Sequence, residues 1–253
     1  MKQALGIDIG GTKINGIVFD GKKVVRELTI VTPKTLFDFE KNILKLIDFL
    51  STGFKINGIG IGMAGAVDAK KGIVVRSPNI PYVKKLNLAQ LVQSVEKVQV
   101  VIDNDANCFT RAEMLLGQGK KFKNFILLTL GTGVGGGIVI NKQLYRGALG
   151  TGAEFGHMVV NGEFMEKTFQ RLRDRKQYNK LGILVGQSLV GLVNIFEPEG
   201  VIIGGGVISH SKVFLPPLIS EIKKFIFDKH GNPKIIISQL KNAGALGAAL
   251  LVK

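Results

Sequence analysis

The chain has 253 residues, 45% of them hydrophobic, with 33 glycines, one cysteine and a formal net charge of +15. That length and apolar share exclude a disordered chain and leave room for one large core or two small ones. The lone Cys108 excludes an internal disulfide framework and a cysteine-built zinc cluster. The bases lie in short scattered groups, among them Lys22-Lys23, Lys84-Lys85, Lys120-Lys121 and the run from Arg171 to Lys180. No recognition motif accompanies them, so they read as solvated surface, and no nucleic-acid partner is expected.

In chain order, "LGIDIGGTKINGIVFDGK" (5–22) reads as an apolar strand, a Gly/Thr turn and a second strand, with "KKVVRELTIV" as a third. A helix, "TLFDFEKNILKLIDFL", and two strands, "INGIGIGMAG" and "VQVVID", lead to a helix in "ANCFTRAEMLLG". The polar stretch "LLGQGKKFKN" (115–124) is the expected hinge. Then the opening pattern returns as "ILLTLGTGVGGGIVINK" (126–142). Aligning Gly10 with Gly131 brings Gly16 onto Gly137, Ile17 onto Ile138, Val18 onto Val139 and Asp20 onto Asn141. A helix (181–196), "GVIIGGG" as a strand, "KVFLPPLISEIKKFIF" as a helix, "KIIIS" as a strand and a last helix in "AGALGAALLV" follow. Hairpins followed by βα units, twice over, predict an α/β protein of two related domains, each a mixed sheet flanked by helices. The opening "MKQALGIDIG" carries no apolar leader. The most apolar run, 181–196, is short for a span and holds Gln187, Ser188 and Asn194. The expectation is a cytoplasmic protein with no membrane partner.

The glycine loops do not fit the common nucleotide motifs. In "GIDIGGTK" Gly11 is followed by Thr12 and then Lys13, which is not a P-loop. "GTGVGG" (131–136) matches dinucleotide spacing but opens into another strand, so no helix N-terminus awaits a pyrophosphate. A side-chain-free hairpin turn can nevertheless bring N–H groups close to phosphate, and threonine hydroxyls add donors. Asp8, ending the first strand, is placed to hold magnesium, directly or through water.

The blocks "DIGGTK" (8–13), "GIGMAGAVD" (60–68), "SPN" (77–79), "NDAN" (104–107), "LGTGVGGGI" (130–138), "GALGTGAEFGHM" (147–158), "PEGVIIGGGV" (198–207) and "ALGAA" (245–249) occur in this order. Together they resemble the ROK family of bacterial sugar kinases and sugar-sensing repressors. The resemblance implies a two-lobed actin-like ATPase (ribonuclease H-like) fold with sugar and ATP between lobes 1–115 and 116–242. The last helix, about 243–253, would pack back on the first lobe. It further implies that Gly10, Gly11, Thr12, Lys13, Gly131, Thr132 and Gly133 surround the phosphates, that Gly205 and Gly206 approach the adenosine, and that Asn79, Asn104, Asp105, Glu154 and His157 face the sugar.

Neighbouring Asn104 and Asp105 supply the donors and acceptors that sugar hydroxyls need. Asp105 is the candidate general base: phosphoryl transfer needs an acceptor for the attacking hydroxyl's proton, and the positive start of a helical run favours the ionised carboxylate. Its other reading is a helix cap, although Asn104 and Asn107 are surplus to a cap. Glu154 and His157, three apart, would share one face of a helical turn.

The sequence departs from the family after His157. "GHMVVNGEFMEKTFQRL" lacks the family's zinc-binding cysteines, so no structural zinc is expected. Glu166 takes the place of a sugar-binding glutamate that follows those cysteines in the family. Phe164, Met165 and Phe169 would replace the metal with an apolar cluster. The chain begins at the first strand, with no room for a repressor's helix-turn-helix, which favours an enzyme. The reading is an ATP- and magnesium-dependent, glucokinase-like hexose kinase, most simply acting on the 6-hydroxyl of glucose. N-acetylmannosamine, fructose and allose stay open as sugars. A silent sugar sensor and an activator ATPase are the other classes, and a homodimer is the assembly common in the family.

Overall fold

The computed structural model describes residues 3–148, 150–227 and 232–252. Part of the expected 147–158 block, Leu149, and the end of the expected last helix, Lys253, lie outside the described residues. The chain divides into two compact units. Unit 1 holds the described residues through Glu113 and those from Leu240 onward; unit 2 holds Met114–Gln239.

Unit 1 contains β1 (Gln3–Ile9), β2 (Lys13–Phe19), β3 (Val24–Val31), α1 (Leu36–Ser51), β4 (Ile56–Met63), β5 (Ala66–Asp68), β6 (Ile73–Arg76), β7 (Lys84–Asn87), α2 (Leu88–Gln93) and β8 (Gln99–Asn104), and α3 (Asp105–Leu115) follows. Its main sheet has the order β3-β2-β1-β4-β8, antiparallel in the β1–β3 meander and parallel from β1 onward. Unit 2 contains β9 (Phe125–Leu130), β10 (Val134–Ile140), β11 (Gln143–Tyr145), β12 (Val159–Val160), β13 (Glu163–Phe164), α4 (Met165–Asp174), α5 (Tyr178–Phe196), β14 (Gly200–Gly204), α6 (Ser211–Phe225) and β15 (Lys234–Ile237). Its sheet, β11-β10-β9-β14-β15, repeats the unit 1 order strand for strand and sense for sense. The glycine repeat is therefore a real duplication. The final helix, α7 (Ala243–Ala249), is part of unit 1 and ends before the expected position 253.

Side-chain alternation explains how each sheet is covered. In β1, Leu5, Ile7 and Ile9 are fully buried and join Phe39, Ile43, Leu46, Ile47 and Leu50 of α1 in one core. Thr35 caps that helix, its hydroxyl accepting from Asp38 N at 3.1 Å. The alternate face carries Gly6 in β1 and Gly58, Gly60 and Gly62 in β4. A methyl carbon on Gly60 would lie 1.8 Å from the Ala248 carbonyl oxygen, and one on Gly6 would lie 2.0 Å from that of Ala245. The glycines strip this face bare so that α7 lies directly on the strand backbones.

In unit 2, Ile126, Leu128 and Leu130 pack with Leu181, Val185 and Leu189 of α5 and with Phe214 and Leu218 of α6. The 19 residues of α5 are long and apolar enough to cross a membrane by composition. Here Leu181, Leu184, Val185, Leu189 and Val193 are core while Ile183 and Ile195 stay exposed, and Gly182 lets the helix meet the Phe214 backbone of α6 closely.

Several elements were not anticipated, among them α2. The small sheet β5-β6-β7 is built from short strands, of which Lys84–Asn87 carries no apolar alternation. The segment after His157 folds as the tight hairpin β12–β13 and then α4, not as a loop. Met165 and Phe169 are fully buried in the unit 2 core, as an apolar replacement for the metal requires. Phe164 is not part of that cluster: it is exposed, with its ring edge-on to His157 at 5.7 Å. The odd phase of a two-residue strand turns Phe164 outward.

Candidate active site

In unit 1 the predicted residues gather at the carboxyl ends of the parallel strands, where open α/β sheets bind ligands. Asp8, Gly62 and Asp103 occupy one row across β1, β4 and β8. The turn after β1 closes through Gly10 N donating to Lys13 O at 3.0 Å. Thr32, just beyond β3, holds it from behind: its hydroxyl donates to Gly10 O at 2.7 Å and its amide to Thr12 O at 3.1 Å. Thr12 and Lys13 project into solvent. Asn79 lies against this turn, its Cβ 2.7 Å from where a methyl on Gly11 would sit.

The stretch 103–107 divides its tasks in a way the sequence did not reveal. Asn104 is the cap of α3: its Oδ1 accepts from Ala106 N at 2.9 Å and Asn107 N at 3.1 Å. The expectation that Asn104 is surplus to the cap is corrected, because Asp105 already adopts helical geometry as the first residue. Asn104 Nδ2 also donates to Gly65 O at 3.0 Å. Gly65, at φ +110°, packs on the 76–78 backbone next to Asn79. Asp103 is buried and orients its neighbours, accepting from Asn107 Nδ2 at 3.0 Å. Asn107 is thus a buried brace rather than a ligand group.

Asp105 accepts from Ala106 N at 2.9 Å and lies close enough to Asp8 to act on its charge. Burial first, and then the Asp105 carboxylate, push the Asp8 pKa up to about 7 against the opposing pull of Lys13. Gly244 of α7 allows the Asp8 carboxylate to fit under it. Burial also drives the Cys108 thiol well above its usual range, with Asp103, Asp8 and Asp105 adding to it, so this cysteine is inert packing.

Among the described residues, no three His, Cys, Asp or Glu side chains converge as a metal site. Magnesium that travels with a nucleotide needs only one or two carboxylates beside phosphates and water. Asp8 and Asp105, a pair whose mutual repulsion a divalent cation would relieve, fit that requirement.

In unit 2 the turn Gly131–Gly133 joins β9 to β10, closed by Gly131 N donating to Gly133 O at 3.0 Å. Gly205, at φ +93°, crosses the Leu130 backbone at the end of β14, and Gly206 beside it is open. Glu154 and His157 flank a short 3₁₀ turn with His157 Nδ1 3.5 Å from Glu154 Oε2, both well exposed. Glu166, in the first turn of α4, presses against Gly133 and Gly156, its Oε2 accepting from Val134 N at 3.3 Å.

Two features escaped the sequence reading. The Arg171 to Lys180 run is not all free surface. Arg171 makes a two-pronged contact with Glu163 at 2.9 and 3.3 Å, and Thr168 also donates to Glu163 at 2.5 Å. These bonds hold the Glu163 carboxyl below its ordinary pKa, Thr168 contributing most. Arg173 Nη1 donates to Gly131 O at 2.9 Å and also to Thr132 O. No motif marks Arg173, and only its spacing from Glu166 on a helix could have drawn notice.

The ROK family profile matches residues 4–170 and 167–253. The glucokinase of Streptomyces coelicolor is 28% identical over 312 aligned positions, covering 100% of this chain and 98% of its own. The xylose repressor of Bacillus subtilis is 26% identical, covering 98% of this chain and 76% of its own. The crystal structure of a ROK family glucokinase from Streptomyces griseus, in complex with glucose and AMPPNP, matches with a TM-score of 0.85 at 27% identity, over 99% of both chains. With its actin-like ATPase fold and paired glycine turns, the chain belongs to the ROK family.

Proposed function

We propose that this protein is an ATP-dependent hexose kinase, with glucose as the first candidate substrate and its 6-hydroxyl as the acceptor. The observation that carries the reading is the gathering, within unit 1, of Asp105, Asp8, Asn79 and the Gly10–Lys13 turn around one set of strand ends. Phosphoryl transfer asks for a proton acceptor, a phosphate cradle and charge neutralisation near one another, and these residues have those chemistries.

In this reading Asp105 accepts the proton of the attacking hydroxyl. Asn104 has one amide hydrogen beyond its bond to Gly65 for a sugar hydroxyl, and Asn79, Glu154, His157 and Glu166 complete sugar recognition. Gly10, Gly11, Thr12 and Lys13 from unit 1 and Gly131, Thr132 and Gly133 from unit 2 serve the phosphates. Gly205 and Gly206 leave room for the nucleoside. Bound with the nucleotide, magnesium neutralises charge on the transferring phosphoryl group. Asp8, with Asp105 beside it, is the residue that would hold it. The 28% identical glucokinase and the structure solved with glucose and AMPPNP support the choice of substrates.

A coupled ADP-release assay over glucose, N-acetylmannosamine, fructose and allose tests this. Sugar-dependent ADP release is expected. Sugar binding without turnover would replace the kinase by a sensor of the kind the repressor relative represents, and sugar-independent hydrolysis would point to an ATPase.

A further inference from the structure

A hairpin turn can offer its N–H groups to an anion only if its carbonyls are held elsewhere. The peptide unit is planar and trans, so its C=O and N–H point in opposite directions. The carbonyls of Gly131 and Thr132 belong to the same peptide units as the amides of Thr132 and Gly133. Both carbonyls accept from one nitrogen, Arg173 Nη1. Gln170 Nε2 donates to the same Thr132 carbonyl at 3.4 Å and to Glu166 Oε1 at 3.2 Å. Glu166 in turn takes the Val134 amide, just past the turn. Glu166, Gln170 and Arg173 recur at i, i+4 and i+7 and therefore form one stripe of α4.

We infer that Arg173 is a positioning residue for phosphoryl transfer: its guanidinium holds the carbonyl side of the Gly131–Gly133 turn so that the Thr132 and Gly133 amides face the nucleotide phosphates. The inference rests on the kinase reading, which gives this turn its ligand. Arg173 acts through the turn and not on the nucleotide. Its Nε and Nη2 both donate to Asp174 Oδ1, at 2.9 and 2.8 Å, so the fork is occupied on each side and its charge is balanced. Its guanidinium carbon lies 5.8 Å over the ring of Phe169, a fully buried residue that anchors the helix from which it reaches.

Arg173→Met keeps a long unbranched apolar side chain at this position and removes the fork. It should lower kcat/KM for ATP on the order of 10²-fold, the scale of a small misplacement of a catalytic element. Binding of the β,γ-imido analogue of ATP should weaken in parallel. Sugar affinity measured without nucleotide should stay within about twofold of wild type, since a positioning change touches only the nucleotide step. Added guanidinium ion should restore part of the variant's rate and none of the wild type's, a response that lost packing alone would not give. Should Arg173→Met fail to fold, Arg173→Lys retains the charge without the fork, and an intermediate kcat/KM is expected. Wild-type kinetics for ATP in a folded variant, or equal losses toward sugar and ATP, would overturn the inference alone. A wild-type protein that neither binds the analogue nor turns over any sugar would overturn the kinase reading together with it.

Discussion

The two sheets share a strand order but differ at the row where catalysis would occur. In unit 1 that row reads Asp8, Gly62 and Asp103. In unit 2 the matching row reads Thr129 and Gly204, followed by Ser238 just past β15. Duplication kept the central glycine and the backbone path, while the flanking positions are carboxylates in one copy and hydroxyls in the other. The turns differ as well. Unit 1 holds its carbonyls with the hydroxyl and amide of Thr32; unit 2 uses a guanidinium reaching from a helix. In the kinase reading proposed above, the common scaffold would carry the acid–base chemistry in unit 1 and a phosphate turn in each unit, and the carboxylates of unit 1 are where like charges meet.

The sharpest way to break this division is Asp105→Asn. Because Asn104 makes the cap bonds, the change leaves the start of α3 intact. Turnover should fall roughly 10³-fold, with a melting temperature no lower than wild type, because the repulsion of Asp8 by the Asp105 carboxylate is also removed. Turnover close to wild type would remove the base from unit 1.

Next in size is the cost of Asp8. Its carboxyl titrates near 3.8 when unfolded and about 7 when folded. Between these values the folded state keeps a proton that the unfolded state has lost, so stability declines as pH rises from about 4 to about 7 and then levels. Asp8→Asn has no such penalty. In chelator-containing buffer without nucleotide, its stability gain over wild type should grow from near zero at pH 4 to about 2 kcal/mol at pH 8, less than the full shift implies because Asp8 as a residue is half-buried. Thermal melts across that range measure it, and a gap independent of pH would show that unit 1 stores no such strain.

The smallest effect is expected at Thr32→Val, which removes one hydroxyl bond behind the unit 1 turn while the backbone bond persists. A loss of about 1 kcal/mol in stability is expected by denaturant titration. The rise in KM for ATP should be only severalfold, smaller than the effect at Arg173. A larger rise would mean that both turns depend equally on their supports.

Much of this fold is legible in the sequence. Period-two apolar runs and glycine spacing announce both meanders, because buried strands and tight turns have local signatures. Asn104 and Asp105 stand out together in the sequence, but the alternative cap reading falls on Asp105 where the structure has Asn104, since a one-residue shift in a helix start leaves no trace in composition. The strands Ala66–Asp68 and Lys84–Asn87 were missed because they are short and half polar. Arg173 was lost in a basic run: its role depends on the phase of α4 relative to a turn some forty residues upstream, and no local pattern encodes that.

The bare glycine face under α7 has a consequence for how the chain is made. On a ribosome the first-synthesised sheet stays uncovered on that side until residues 243–249 emerge, after all of Met114–Gln239 has been built. The opening half of the molecule is thus the last to be completed, and a nascent chain halted before Asn242 would leave the Asp8 strand without its lid. The N-terminal-first order usual for nascent domains thus cannot run to completion in unit 1 before unit 2 has been synthesised.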